Sequence, residues 1–428
     1  MRSVAVVLAL WLGGCDGGKP AGDVAPDASV TPPPAADAAL PAPPAEPLPT
    51  LMMGQAQFVK QGDHPVPGPA KLVLMKTDGK QWYQETIEDP ESNVFHKAIA
   101  WRGGILTIGA EKARLTHWKK EAGAWKPTVL WERSWGGKFD RFRDLELGDV
   151  TGDGKEDIVI ATHDQGVVAV GQEGADGAWT FQEMDQTPDT FVHEIEIGDV
   201  DGDGRMEFYA TPSERNRASG ESQPGGVARY DYVDGKFVRT MIVQWEESHA
   251  KEILVNDVDG DGKPELYAVR EAHTIKGADG KPEIKDPVQI VRLTPHPRRD
   301  APKAIVAYDE TVVATLQDRQ CRFLVPGDVD GDGQKDLVAA GFKSGLWVLE
   351  RNADGTFTPT SIDTDSSGFE HATHVADLDK DGKMEIYVAA DDQKGVRRYV
   401  WNGSAFDRTV ITSIPDQHIS WNIQDATF

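Results

Sequence analysis

Residues 198–208 read GDVDGDGRMEF, and the phrase returns four more times: GDVTGDGKEDI at 148–158, NDVDGDGKPEL at 256–266, GDVDGDGQKDL at 327–337 and ADLDKDGKMEI at 376–386. Each copy lies between short runs rich in β-branched and aromatic residues, such as Ile195-Glu196-Ile197 before and Phe208-Tyr209-Ala210-Thr211 after. Runs of that length and make-up read as strands rather than helices. Further on comes a turn signal with an aromatic just behind it: Asp176-Gly177 before Trp179, Asp234-Gly235 before Phe237, Asp354-Gly355 before Phe357, and Asn402-Gly403 before Phe406. Such dipeptides supply the positive φ angles of tight hairpins. The signature also stands at Asp78-Gly79 before Trp82 and at Ala122-Gly123 before Trp125, with no acidic phrase upstream. The unit is therefore four antiparallel strands, and two units lack the acidic loop.

A basic residue opens each first strand and gives the period: His96, Arg143, His193, Lys251, Arg322, His371 and His418. The unit at His418 breaks off at Phe428, and the leading segment Gln55–Phe95 supplies what it lacks. A unit assembled from both chain ends is how a closed ring of sheets removes its open edge. The expectation is an all-β, seven-bladed β-propeller over residues 51–428, one blade closed by both termini.

Take the loop from Asp199. Asp199, Asp201, Asp203 and Glu207 stand at positions one, three, five and nine, Gly204 at six, and the carbonyl of Arg205 at seven can turn inward. Alternate carboxylates on a tight turn converge on one point. Ca²⁺ takes six to eight oxygens, whereas Mg²⁺ keeps its waters and a stricter octahedron, so Ca²⁺ is favoured. The other loops offer Asp149, Thr151, Asp153, Lys155 and Asp157; Asp257, Asp259, Asp261, Lys263 and Glu265; Asp328, Asp330, Asp332, Gln334 and Asp336; and Asp377, Asp379, Asp381, Lys383 and Glu385. Five structural Ca²⁺ sites are expected, the weakest in the first loop, where Thr151 replaces an acid. An EF-hand is excluded: position twelve holds Ile160, Ala210, Ala268, Ala339 and Val388, never the bidentate acid that motif needs.

This pattern resembles the FG-GAP and VCBS repeats of integrin α-subunit N-terminal domains and many bacterial surface proteins. The resemblance covers roughly residues 55–428 and rests on the loops, since the Phe-Gly and Gly-Ala-Pro signatures are poorly kept. It implies a propeller whose calcium is mostly structural, stiffening the hairpins. No metal is implied at the unit of His96, where Trp101-Arg102-Gly103-Gly104 replaces the loop.

The inner strand of a propeller blade lines the channel, so the basic residues that open the strands should ring the mouth opposite the acidic loops. His96, Arg143, His193, Lys251, Arg322, His371 and His418 are the candidate ligand site, for an acidic glycan or a surface protein. The competing reading pairs them with Asp144, Glu194 and Glu252 as channel filling. The insertions Thr211–Gly226 and Arg270–Pro287 fall on the same mouth and could wall a pocket. An alternative is a calcium-dependent lyase on uronate glycans, with His193 or His371 as base and Arg143 or Arg322 as carboxylate clamp.

Arg2, the apolar run Val4–Leu12 and Leu12-Gly13-Gly14-Cys15 read as a signal peptide over 1–14. Those last four residues resemble a bacterial lipobox, which makes Cys15 a lipid anchor. Residues 15–50, rich in Pro and Ala, read as an extended tether. The expected location is the bacterial cell envelope, extracytoplasmic, with membrane contact through the lipid alone. Cys321 is the one other thiol, so no disulfide stiffens the fold. The net charge is −25, and the five loops hold 20 of the 70 acidic residues. Such a surface excludes a nucleic-acid partner, and a monomer is expected.

Overall fold

A computed structural model describes residues 40–428, apart from 62–63, 138–139, 216–219 and 298–304. The signal peptide, Cys15 and most of the tether lie outside the described residues. Among these residues every regular element is a strand, paired antiparallel with its neighbours.

The sheets are small and repeat one order. Thr190–Gly198, Glu207–Glu214, Gly225–Val233 and Lys236–Trp245 form one, and three more four-stranded sheets follow along the chain. The burial of each strand follows its place. Second strands, flanked on both sides, are buried along Asp157–Thr162, Asp336–Gly341 and Glu385–Ala390. Fourth strands such as Lys236–Trp245 lie at an edge and are mostly exposed or half-buried. Hydrophobic burial thus falls between sheets, in clusters that each draw on adjacent units. Aromatics behind the hairpin turns stitch neighbours together: Trp82 meets Tyr387 at 6.0 Å, Phe357 meets Tyr267 at 6.0 Å, and Trp179 meets Trp101 at 5.7 Å.

Both ends of the chain build one sheet. Pro49–Gln61 pairs on one edge with Ala70–Thr77 and on the other with His418–Thr427. Leu48 N donates to Phe428 O at 2.8 Å, and Gln84 N donates to Pro41 O at 2.9 Å. The strand begins at Pro49, two residues before the expected boundary, and the last expected tether residues lie against the sheet.

Seven separate sheets are not what the pairing gives. Five sheets of four or five strands stand apart, and eight strands between Phe95 and Met184 form one continuous sheet. Ala110↔Arg141 and Glu111↔Asp140 pair and fuse the two units there. The arrangement is propeller-like. First strands touch in turn from Phe95–Trp101 through Asp140–Gly148, Thr190–Gly198, Ala250–Asn256, Cys321–Gly327 and Thr373–Ala376 to His418–Thr427, which returns to Phe95–Trp101.

That closure rests on residues 418–427, so deleting 418–428 leaves Pro49–Gln61 with a bare edge. The expected outcome is loss of the cooperative thermal transition followed by circular dichroism. An unchanged midpoint would show that the ring closes without that strand.

Candidate functional site

The acidic loops come first. The first Asp of each accepts from two backbone N–H groups: Asp199 from Asp203 N and Gly204 N, both at 2.9 Å, and Asp328 from Gly331 N at 2.8 Å and Gly333 N at 3.0 Å. Position five caps position seven, as Asp203 does Arg205 N at 2.9 Å. The acid at nine reaches back to position two, with Val200 N donating to Glu207 at 2.9 Å and Val258 N to Glu265 at 2.9 Å. Positions four and six both need positive φ: Gly202 has 72° and Gly204 87°, and in the last loop Lys380 adopts 59°. Glycine costs little there, which is why the phrase reads Gly-Asp-Gly four times out of five.

This folding brings carboxylate oxygens within 4.8 Å of one another in four loops: Asp199, Asp201 and Asp203; Asp257, Asp259, Asp261 and Glu265; Asp328, Asp330 and Asp332; Asp377, Asp379, Asp381 and Glu385. Such clusters could hold a metal ion. Asp336 Oδ2 is buried with no hydrogen-bond partner among the described residues, an orphan acceptor that a cation would satisfy. Burial first, and then the neighbouring carboxylates, pushes Asp336 up to about 7. Burial likewise raises Glu207 to about 7. The Asp149 loop forms no such group among the described residues; Thr151 Oγ1 donates instead to Asp157 Oδ2 at 3.0 Å.

Two kinds of loop emerge that sequence reading missed. Where position nine is Glu, a Tyr follows two residues later and an Arg stands opposite it on the third strand: Tyr209↔Arg229, Tyr267↔Arg292 and Tyr387↔Arg398. Where it is Asp, the pair is Val159↔Val170 or Val338↔Val348. Arg229 Nη2 lies 2.7 Å from Asp201 and 2.6 Å from Asp231, its Nη1 3.5 Å from Glu207, and Tyr209 OH donates to Glu207 at 2.6 Å. Arg398 pairs with Asp379 and lies 2.6 Å from Glu385. Arg292 sits 3.5 Å from Glu265. Each of these three loops carries its own counter-cation. The signal was the joint change of three positions between copies.

The basic residues open onto the other end of the first strands. Five of these strands slip register at that point, leaving His96, Arg143, His193-Glu194, Lys251 and Arg322-Phe323 as extra residues opposite the second strand. A bulge turns neighbours that would alternate toward the same side, so a cation and the acid behind it share the channel.

The seven do not form one ring of free cations. Arg143 Nη2 lies 3.3 Å and Arg322 Nη1 2.5 Å from the carboxylate of Glu370, which is 1% exposed. Lys251 Nζ lies 2.6 Å from His193 Nε2, and burial holds Lys251 down to about 7. His96 is buried, its Nδ1 donating to Phe142 O at 2.6 Å and its ring 4.8 Å from that of Trp421. His371 points away, between Gly341 O and Ser366 Oγ, both at 2.8 Å. His418 lies by the closing sheet, where Lys394 Nζ reaches its carbonyl at 3.4 Å.

The expected acids Asp144, Glu194 and Glu252 favour the charge of Arg143, and a further cation contacts the first two. Lys97, beside His96, lies 2.7 Å from Asp144 and 3.8 Å from Glu194, and it also pairs with Glu146. Burial and the surrounding carboxylates raise Glu194, Glu196 and Glu252 well above the usual range. Lys97 and Glu370 are thus the compensating charges that the sequence reading passed over. Each adjoins a ring residue in sequence, which was the available signal.

The insertions meet on this mouth as expected. Ser222 N donates to Thr274 O at 3.1 Å, and Thr274 Oγ1 to Gly220 O at 2.8 Å. The second insertion forms a hairpin of His273–Lys276 and Pro282–Asp286. Cys321 is buried and free, and burial pushes its thiol up, so it is inert.

A family model described as an FG-GAP-like repeat matches residues 149–210 and 328–388. No curated protein matches the chain. Among solved structures, a protein from Lactobacillus plantarum is similar at 11% identity and a TM-score of 0.56, over 89% of this chain and 99% of that one. A putative 6-phosphogluconolactonase from Bacteroides uniformis is similar at 12% identity and 0.56, over 88% and 99%. A periplasmic gluconolactonase of Pseudomonas aeruginosa is similar at 13% identity and 0.51, over 88% and 99%. At such identities the likeness shows fold alone. The chain carries FG-GAP-like repeats on a propeller-like all-β fold.

Proposed function

We propose that this chain is a calcium-stiffened, seven-bladed propeller that acts as an interaction module in the bacterial cell envelope. The count of seven takes the eight-stranded sheet as two blades, each with its own first strand and its own basic residue. Calcium is the cation whose coordination suits the all-oxygen donor sets and the orphaned Asp336. A lipid on Cys15 would tether the module, and the ligand face is the mouth bearing Arg143, Lys251 and Arg322, walled by the two insertions. An acidic glycan or a surface protein is the partner that chemistry fits.

One observation carries the choice of binding over catalysis. His193 and His371, the candidate bases, are 2% and 0% exposed. Burial pushes His371 down to about 4 and His193 well below its ordinary value, so neither is a base poised near neutrality. The names of similar folds favour a lactonase-like enzyme as the second reading.

Retention of the full chain on a panel of acidic and neutral polysaccharides tests this, with uronate unsaturation and lactone hydrolysis read in the same wells. Retention on acidic members without either reaction is expected. Product that grows with time would replace the binding reading by an enzyme.

The arginine-backed loops give a second test. Arg229→Met strands the carboxylates of Asp201, Asp231 and Glu207, and breaking a buried pair costs about 3–5 kcal/mol. That loss is expected in calcium-free denaturant unfolding, with much of it recovered on adding calcium. Equal losses with and without calcium would separate the arginine from the metal site. Asp330→Ala, in a loop with no such arginine, should reduce the calcium-dependent part of the stability instead.

A further inference from the structure

Glu370 reaches across the molecule. Its carboxylate meets Arg143 on Asp140–Gly148 and Arg322 on Cys321–Gly327. Between those strands, in the cyclic order of contacts, stand Thr190–Gly198 and Ala250–Asn256. A group that touches both therefore lies where the first strands converge, over the channel mouth. Neither arginine is more than 9% exposed, so the pair is desolvated and strong.

The segment that delivers Glu370 is a loop between Phe357–Asp363 and Thr373–Ala376. Its root is pinned: Ser367 N donates to Gln393 Oε1 and Ser367 Oγ to Asp392 Oδ2, both at 2.9 Å. Its tip is held by the mouth alone in the contacts described. Phe369, 39% exposed, lies 4.2 Å from the Arg322 guanidinium and 6.4 Å from the Trp421 ring. His371, directly after Glu370, adopts a φ of 57°, a strained conformation for a residue with a side chain. Strain of this kind persists where the surroundings fix it, here the two hydrogen bonds to the His371 ring.

The mouth holds a guanidinium donor that Glu370 does not use. Arg322 Nε is buried without a hydrogen-bond partner among the described residues, whereas His96, whose Nδ1 donates to Phe142 O, carries a bare acceptor at Nε2. Lys251 Nζ donates to His193 Nε2 and lies in the field of the buried carboxylates of Glu271 and Glu370. A buried guanidinium donor without an acceptor is costly, and its place beside the Glu370 contact favours a guest oxygen there.

We infer that the mouth is a carboxylate site occupied from within, Glu370 being its built-in ligand, and that an external carboxylate binds by displacing Glu370 from Arg143 and Arg322. The inference rests on the mouth being the ligand face, and it names the group recognised there. Phe369 and Glu370 leave together, because both are anchored on Arg322. Displacement exchanges one charge-assisted pair for another, so wild-type affinity for a small acid is low. A ligand with several oxygens gains by also reaching Arg322 Nε.

Titration calorimetry of the full chain with sodium D-galacturonate tests this, with galactose as the neutral control. Glu370→Gln keeps the side-chain volume and an acceptor but removes the competing charge. It should bind galacturonate about tenfold more tightly than wild type, the scale of one charge-assisted contact. Adding Arg143→Met should abolish the gain. A folded Glu370→Gln with no gain overturns the inference, as does an equal gain for galactose. If that variant does not fold, Phe369→Ala loosens the tip without altering charge. A gain of about threefold is then expected from losing one cation–π contact of ~0.5–1 kcal/mol, and no gain overturns the inference. Retention of wild type on acidic polysaccharide, with no gain in Glu370→Gln, would sink the stopper and leave the interaction module standing.

Discussion

The rest of the molecule hangs on a slip of register in the first strand of five of the units. A regular strand sends alternate side chains to opposite faces, so a cation and the acid beside it would point apart. The slip at Arg143, and its counterparts at Lys251 and around His193, sends both into the channel. The axis is therefore crowded with charge that water barely reaches. Burying such groups is tolerable only in pairs, and Lys97 and Glu370 complete the pairing. Without Lys97 several buried carboxylates would lose their direct partner, and without Glu370 two buried guanidinium groups would lose theirs.

The opposite end of the units meets a similar electrostatic problem in another way. Four carboxylates on one turn repel each other, and in three loops an arginine from the third strand lies among them. Tyrosine and glutamate accompany that arginine, and in two of the loops the glutamate contacts both the guanidinium and the phenol. Valines fill the same space where the acid is aspartate, leaving those turns with no internal cation. One repeat thus exists in two electrostatic versions, differing at three positions that lie side by side in the sheet.

Much of this was legible in the sequence. The acidic phrase, the strands on either side and the Asp-Gly hairpins mark local structure, and local structure follows from nearby residues. Closure by both ends was legible too, since counting repeats needs no geometry. The fused eight-stranded sheet was not, because it turns on the two residue pairs Ala110↔Arg141 and Glu111↔Asp140 at strand ends. The basic residues were found, but their fate was not. A bulge leaves no mark in composition, and Glu370 approaches Arg143 across 227 positions of chain. His371 was counted with the cations although its ring is buried between Ser366 and Gly341.

The strand Pro49–Gln61 is hydrogen-bonded on one side to Ala70–Thr77, made soon after it, and on the other to His418–Thr427, made more than 350 residues later. A ribosome working at roughly 5–20 residues per second would need tens of seconds to deliver that partner. For that interval the first sheet exposes a long, apolar, unpaired edge. That edge can pair with a second copy until the closing strand is in place, so ring closure sets how long the chain stays open to such pairing.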